Sequence, residues 1–213
     1  MTTPALSGLY AITDGTLTPG ERLPAAVEAA IRGGVRLVQY RDKSRDTARR
    51  GREARTLAAL CRDHGVRFIV NDDVELASES GADGVHLGRE DAALAAVRVR
   101  LGPRALIGVS CYNSLENAVR AAHEGADYVA FGSFYASDSK PGAVRAPLEL
   151  LGQARRALSI PVCAIGGITP ENGAELVAAG ADMLAVIRGL FAASDVTTAA
   201  RAYAALFPRR ALG

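Results

Sequence analysis

The chain has 213 residues, 49% hydrophobic and 23% charged, with a formal net charge of +2. So high an apolar share at so small a net charge excludes disorder as the dominant state. The length suits one compact domain, residues 1–213, rather than two.

The charge balance argues against nucleic-acid and membrane-surface partners, since the densest basic stretch, residues 49–55, is splayed over several faces of a helix. No apolar run reaches the roughly 18 residues a transmembrane helix needs. Met1-Thr2-Thr3-Pro4 opens no signal-peptide pattern. Cys61, Cys111 and Cys163 are odd in number and lack paired spacing, so they read as reduced thiols in a cytoplasmic protein. Of 25 basic residues only Lys43 and Lys140 are lysines. Where arginine is the default cation, a retained ammonium marks a place that a planar guanidinium does not suit.

The elements alternate from one end to the other. A first strand is predicted over residues 8–12 and a helix over 23–32. A second strand, 37–40, runs into Gln39-Tyr40-Arg41-Asp42-Lys43 and a helix over 48–62. The third, 68–70, ends in Asn71-Asp72-Asp73 before a helix over 74–80. The fourth, 84–87, carries His86 and leads through Glu90-Asp91 to a helix over 92–101. The fifth, 106–109, precedes Ser110-Cys111-Tyr112 and a helix over 115–124. The sixth, 128–131, opens a loop through Ser137-Asp138-Ser139-Lys140 toward a helix over 148–158. The seventh, 162–165, ends in Gly166-Gly167 before a helix over 171–179, and the eighth, 183–187, precedes Arg188-Gly189 and a helix over 197–206.

The strands are continuously apolar, as parallel strands covered on both faces are. Gly-Ala-Asp recurs three times, at residues 81–83, 125–127 and 180–182, as punctuation between helix and strand. Eight such units predict an α/β protein with a single (β/α)8 TIM barrel. An open doubly wound sheet is the competing architecture, and no GxGxxG follows the first strand to support it.

In a barrel the functional residues sit at the C-terminal strand ends. Asp72 and Asp91 follow adjacent strands, close enough to share a hard cation such as Mg²⁺. The competing reading makes Asp72 or Asp73, and Asp91, helix caps, with Asp73 the better pure cap. Arg41, Lys43 and Lys140 converge on the same rim and, with a cation, suit a diphosphate; for Arg41 the alternative is a surface ion pair. Gly166-Gly167 and the segment after the eighth strand suit a phosphate held by backbone N–H groups. His86 reads as a satisfied core histidine.

Together these segments resemble the thiamine phosphate synthase family. The matching pieces are Gln39–Lys43, Phe68-Ile69-Val70-Asn71-Asp72-Asp73, Gly84-Val85-His86-Leu87-Gly88 with Glu90-Asp91, Gly108-Val109-Ser110, Ser137–Lys140 and Ala164-Ile165-Gly166-Gly167-Ile168. The resemblance implies a transferase joining 4-amino-5-hydroxymethyl-2-methylpyrimidine diphosphate to a thiazole phosphate, often carboxylated, to give thiamine phosphate and diphosphate. It implies that Gln39, Tyr40, Arg41, Asp42, Lys43, Asn71, Ser110 and Lys140 hold the pyrimidine diphosphate. Asp72 and Asp91 would hold Mg²⁺. Ser137, Asp138, Ser139, Gly167, Ile187 and Arg188 would meet the thiazole phosphate. Arg41, Lys43, Ser110 and Lys140 form the implied catalytic set, and the implied partners are the small-molecule substrates, with no nucleic acid or membrane and the oligomeric state left open. Serines replace the family's threonines in the sixth loop, and Arg188 stands where serine is common. The related thiazole tautomerase, which carries a histidine where this chain has Tyr112, and a non-catalytic precursor-binding protein are the alternatives.

Overall fold

Each strand of this chain is apolar on both faces, and the computed structural model, which describes residues 6–88, 93–136 and 144–207, satisfies both by closing them into a cylinder. The strands are β1 (Gly8–Ile12), β2 (Val35–Tyr40), β3 (Arg67–Asn71), β4 (Gly84–Leu87), β5 (Leu106–Tyr112), β6 (Tyr128–Phe131), β7 (Val162–Ile165) and β8 (Met183–Val186). All pair in parallel with their chain neighbours, and β8 pairs with β1. Alternate side chains fill the lumen, among them Tyr10, Ile12, Leu37, Ile69, Tyr128, Ala130, Cys163 and Met183. The opposite set, including Leu9, Val38, Tyr40, Phe68, Val85 and Ile107, packs against the helices.

Among the described residues the helices are α1 (Arg22–Arg32), α2 (Thr47–Asp63), α3 (Val74–Ser80), α4 (Leu94–Leu101), α5 (Leu115–His123), α6 (Glu149–Ala157), α7 (Pro170–Ala179), α8 (Arg188–Phe191) and α9 (Val196–Ala204). Several begin on side-chain caps: Asp46, Asp73, Ser114, Thr169 and Asp195 each accept a bond from a backbone N–H of the first turn. None of the described helices is long and apolar enough to cross a membrane.

The three Gly-Ala-Asp repeats have a structural purpose at the opposite end of the barrel. Asp83, Asp127 and Asp182 each precede an even-numbered strand, and each carboxylate reaches back to the strand before it. Their acceptors meet the N–H groups of Phe68 at 2.8 Å, Ile107 at 2.8 Å and Val162 at 2.9 Å. Each pins the start of one strand to the start of the next.

Most element ends fall within one or two residues of expectation, and three features near the site call for comment. β5 continues to Tyr112, through a register shift between Ser110 and Tyr112, so Ser110 lies within the strand rather than after it. α4 runs from Leu94 with Ala93 at its N-cap, and residues 91 and 92 of the predicted start lie outside the described residues. The four-residue α8 is too short to leave a periodic signature.

Candidate active site

Backbone and side-chain bonds join the C-terminal tips of β1 and β2, and those of β3 and β4. The Thr13 N–H donates to the Gln39 carbonyl at 2.9 Å, and the Arg41 N–H donates to Thr13 Oγ1 at 2.9 Å. The Arg41 guanidinium lies 3.9 Å from Asp14. Asn71 pairs in register with His86, and the Asp72 N–H donates to the His86 carbonyl at 2.8 Å. Asn71 Nδ2 donates to Asp72 Oδ2 at 2.5 Å. Asp72 and Tyr112 are the non-glycine residues with left-handed backbone among those described, at φ 61° and 55°. Both sit on this rim, at the tips of β3 and β5. Such conformations cost of order 1–3 kcal/mol and gather where geometry serves function.

Below the rim a hydrogen-bonded relay crosses the lumen. Gln39 Nε2 donates to the Tyr10 hydroxyl, which bonds the Tyr128 hydroxyl at 3.1 Å. Tyr128 lies 2.8 Å from His86 Nδ1, and His86 Nε2 lies 2.9 Å from Ser110 Oγ. One direction satisfies every member: the amide donates to Tyr10, Tyr10 to Tyr128, Tyr128 to Nδ1, and Nε2–H to Ser110. Burial pushes both phenols well above their ordinary pKa, so they stay neutral donors. His86 is thus the satisfied core histidine its strand position suggests, and it also orients Ser110.

The predicted residues divide by strand parity. Gln39 enters the lumen, and Arg41 lies beside the β1 loop. Tyr40 points the other way: its ring is buried among the helices and its hydroxyl donates to Glu53 of α2 at 2.6 Å. The Asp42 carboxylate likewise turns toward α2, onto Arg49 at 2.7 Å, and is only 5% exposed. Like charge would also set it against a diphosphate. Burial raises the pKa of the Asp42 carboxyl, but the bonds from Ser44 and the Arg49 charge outweigh that and hold it below the usual range. Lys43 is exposed next to this turn.

On the far side, a Cβ on Gly167 would come 2.3 Å from the Ala136 carbonyl, and its φ is 62°. Glycine is required there to let the loop after β7 pack on the loop after β6, whatever else binds. Ile187 is the N-cap of α8, and Arg188, exposed, is its first residue. Asp91, Ser137, Asp138, Ser139 and Lys140 lie outside the described residues.

Among the described residues no three His, Cys, Asp or Glu side chains gather into a metal cluster. The donor set still fits a hard divalent cation. Asp72 presents a carboxylate on the rim beside the Asn71 amide, and oxygen ligands of this kind, few in number, suit Mg²⁺ completed by water and phosphate. A hollow of about 180 Å³ reaches Ser110 from the side of Leu87, Gly88 and Val109. Another, of about 650 Å³, lies along the outer face of α5 and joins none of the rim residues.

Sequence reasoning missed Thr13 and Asp14, and the tyrosine pair. The tyrosines were detectable in principle: Tyr10 and Tyr128 occupy lumen-facing positions of apolar strands, where a phenol must find a partner.

The chain matches the family model described as thiamine monophosphate synthase over residues 9–190. It is 57% identical over 202 residues to the thiamine-phosphate synthase of Thioalkalivibrio sulfidiphilus, covering 95% of this chain and 96% of that one. It is 56% identical to that of Thiobacillus denitrificans, with 94% of each covered. The solved thiamine phosphate pyrophosphorylase from Pyrococcus furiosus superposes with a TM-score of 0.85 at 36% identity, over 93% of this chain and 94% of that one.

Proposed function

Because the chain belongs to the thiamine monophosphate synthase family, we propose a rim mechanism for its making of thiamine phosphate. The protein is a transferase of thiamine biosynthesis with a (β/α)8 barrel. Its substrates on this reading are the aminopyrimidine methyl diphosphate and a thiazole phosphate, the latter carboxylated or not. We read residues 1–213 as one catalytic domain. We place it in the cytoplasm, in keeping with three free, buried cysteines.

The observation that carries the reading is the rim: Arg41 and Asn71–Asp72 stand at the tips of β2 and β3, with Ser110 just below within β5, around one end of the lumen. Arg41, Lys43 and Lys140 hold the diphosphate and stabilise the charge that develops as its bond to the pyrimidine methylene breaks. Asn71 and Gln39 orient the pyrimidine. Ser110, aimed by His86, hydrogen-bonds to the pyrimidine and fixes its orientation, while the electron-rich aminopyrimidine supports the methylene cation. Ser137, Asp138, Ser139, Gly167, Ile187 and Arg188 hold the thiazole phosphate so that its ring nitrogen meets that cation and forms the new C–N bond. A carboxylated thiazole then loses CO₂. Asp72 and Asp91 would hold Mg²⁺, which when bound supplies charge to the leaving diphosphate. No protein nucleophile is required, and positioning and electrostatics carry the rate.

Lys140→Ala is the direct test. Turnover falls at least about 100-fold, the scale of one lost charge-stabilising group. Turnover within a few-fold of the parent would remove Lys140 from the mechanism.

A further inference from the structure

The turn after β2 presents two cations for a diphosphate, Arg41 and Lys43, with an acid between them. A carboxylate there competes with the ligand for both. The turn keeps the strand's alternation past its end: Tyr40, Asp42 and Ser44 face α2. Arg49, in the first turn of α2, meets all of that side. Its Nη2 donates to Asp42 Oδ2 at 2.7 Å and to Ser44 Oγ at 2.7 Å, and its Nη1 donates to Glu53 Oε1 at 3.3 Å. Glu53 accepts the Tyr40 hydroxyl through its other oxygen at 2.6 Å. The Ser44 N–H donates to Asp42 Oδ1 at 2.6 Å, so both Asp42 oxygens are committed away from the rim. Arg49 itself is part-buried, with 30% of its side chain exposed.

We infer that Arg49 is a positioning residue that sequesters the Asp42 carboxylate, so that Arg41 and Lys43 face the diphosphate without an internal anion competing. The inference rests on the proposed function for the identity of the ligand. A planar fork suits the task, since one guanidinium spans Asp42, Ser44 and Glu53 at once and an ammonium does not. Arg49 touches no substrate and acts through Asp42.

The test uses inorganic diphosphate with Mg²⁺ as the probe, titrated calorimetrically into the full-length protein. Arg49→Ala weakens binding about fivefold or more, and adding Asp42→Asn to it recovers most of the loss, as expected for two coupled neighbours. Arg52→Ala removes the same charge from an exposed position on α2 and leaves binding unaltered. In steady-state assays Arg49→Ala raises KM for the pyrimidine diphosphate and leaves KM for the thiazole phosphate alone. If Arg49→Ala does not fold, Arg49→Lys, which keeps the charge and loses the fork, takes its place with the same rescue expected. The inference is overturned if the double variant binds no better than the single one, or if Arg52→Ala weakens binding as much as Arg49→Ala. The titration needs no turnover. A parent protein that bound diphosphate but made no thiamine phosphate would therefore sink the functional reading separately.

Discussion

Asp72 and Asp73 are adjacent and differ in what holds them. Asp73 caps α3, accepting from the Leu76 N–H at 2.9 Å, and takes a second bond from Arg50 at 2.8 Å. Asp72 carries the left-handed backbone, and its Oδ2 accepts from the Asn71 amide on the rim. Asp73→Ala should therefore cost about 1 kcal/mol of stability, as lost caps do. Asp72→Ala should spare the fold and shift the Mg²⁺ dependence of turnover. Denaturant midpoints and Mg²⁺ titrations of the two variants distinguish these outcomes, and a swapped pattern contradicts the assignment. Asp14 and Asp42 supply a pH test. Burial opposes their ionisation, but bonds from Thr16 and Ser44, with the charges of Arg41 and Arg49, outweigh it and lower both carboxyls. With the folded pKa below the unfolded value of about 3.9, their contribution is complete above that pH and drains as pH falls through the folded values. Replacing both with Asn should flatten the acid limb of stability against pH. Parallel curves for parent and variant would refute this.

At the scale of elements, strand positions were legible because each strand buries two apolar faces and so reads as an unbroken run. β5 was underestimated because Ser110-Cys111-Tyr112 breaks that run with polar groups where the strand bulges toward the rim. The orientations of Tyr40 and Asp42 were also present in the sequence. Once Gln39 faces inward, alternation turns both outward. The Gly-Ala-Asp repeat was visible as punctuation, but its purpose needed the register that sets each aspartate opposite a strand's first N–H. Asp127 also pairs with Arg98 at 2.7 Å. Asp127→Ala should destabilise by about 1–3 kcal/mol, the range for orphaning a buried donor, without changing KM for either substrate. A KM change at unaltered stability would contradict its placement at the far end of the barrel.

At the scale of the molecule, closure is the property on which the site depends. β1 must meet β8, and α9 seals the seam against α1, where a Cβ on Gly33 would lie 2.4 Å from that of Ala200. The lumen relay ties the seam strand β1 to β6 and onward to Ser110, so packing of the cylinder and aim of the rim are linked. On the proposed function this rim binds a departing diphosphate through fixed cations and a divalent ion held by aspartate. The most direct measurement of this is the time course of thiamine phosphate formation from both substrates by the purified protein, with Mg²⁺ and after chelation. The account predicts thiamine phosphate and diphosphate in equal amounts with Mg²⁺, loss of both in chelator, and recovery when Mg²⁺ is returned. Thiamine phosphate forming at the same rate in chelator would contradict it.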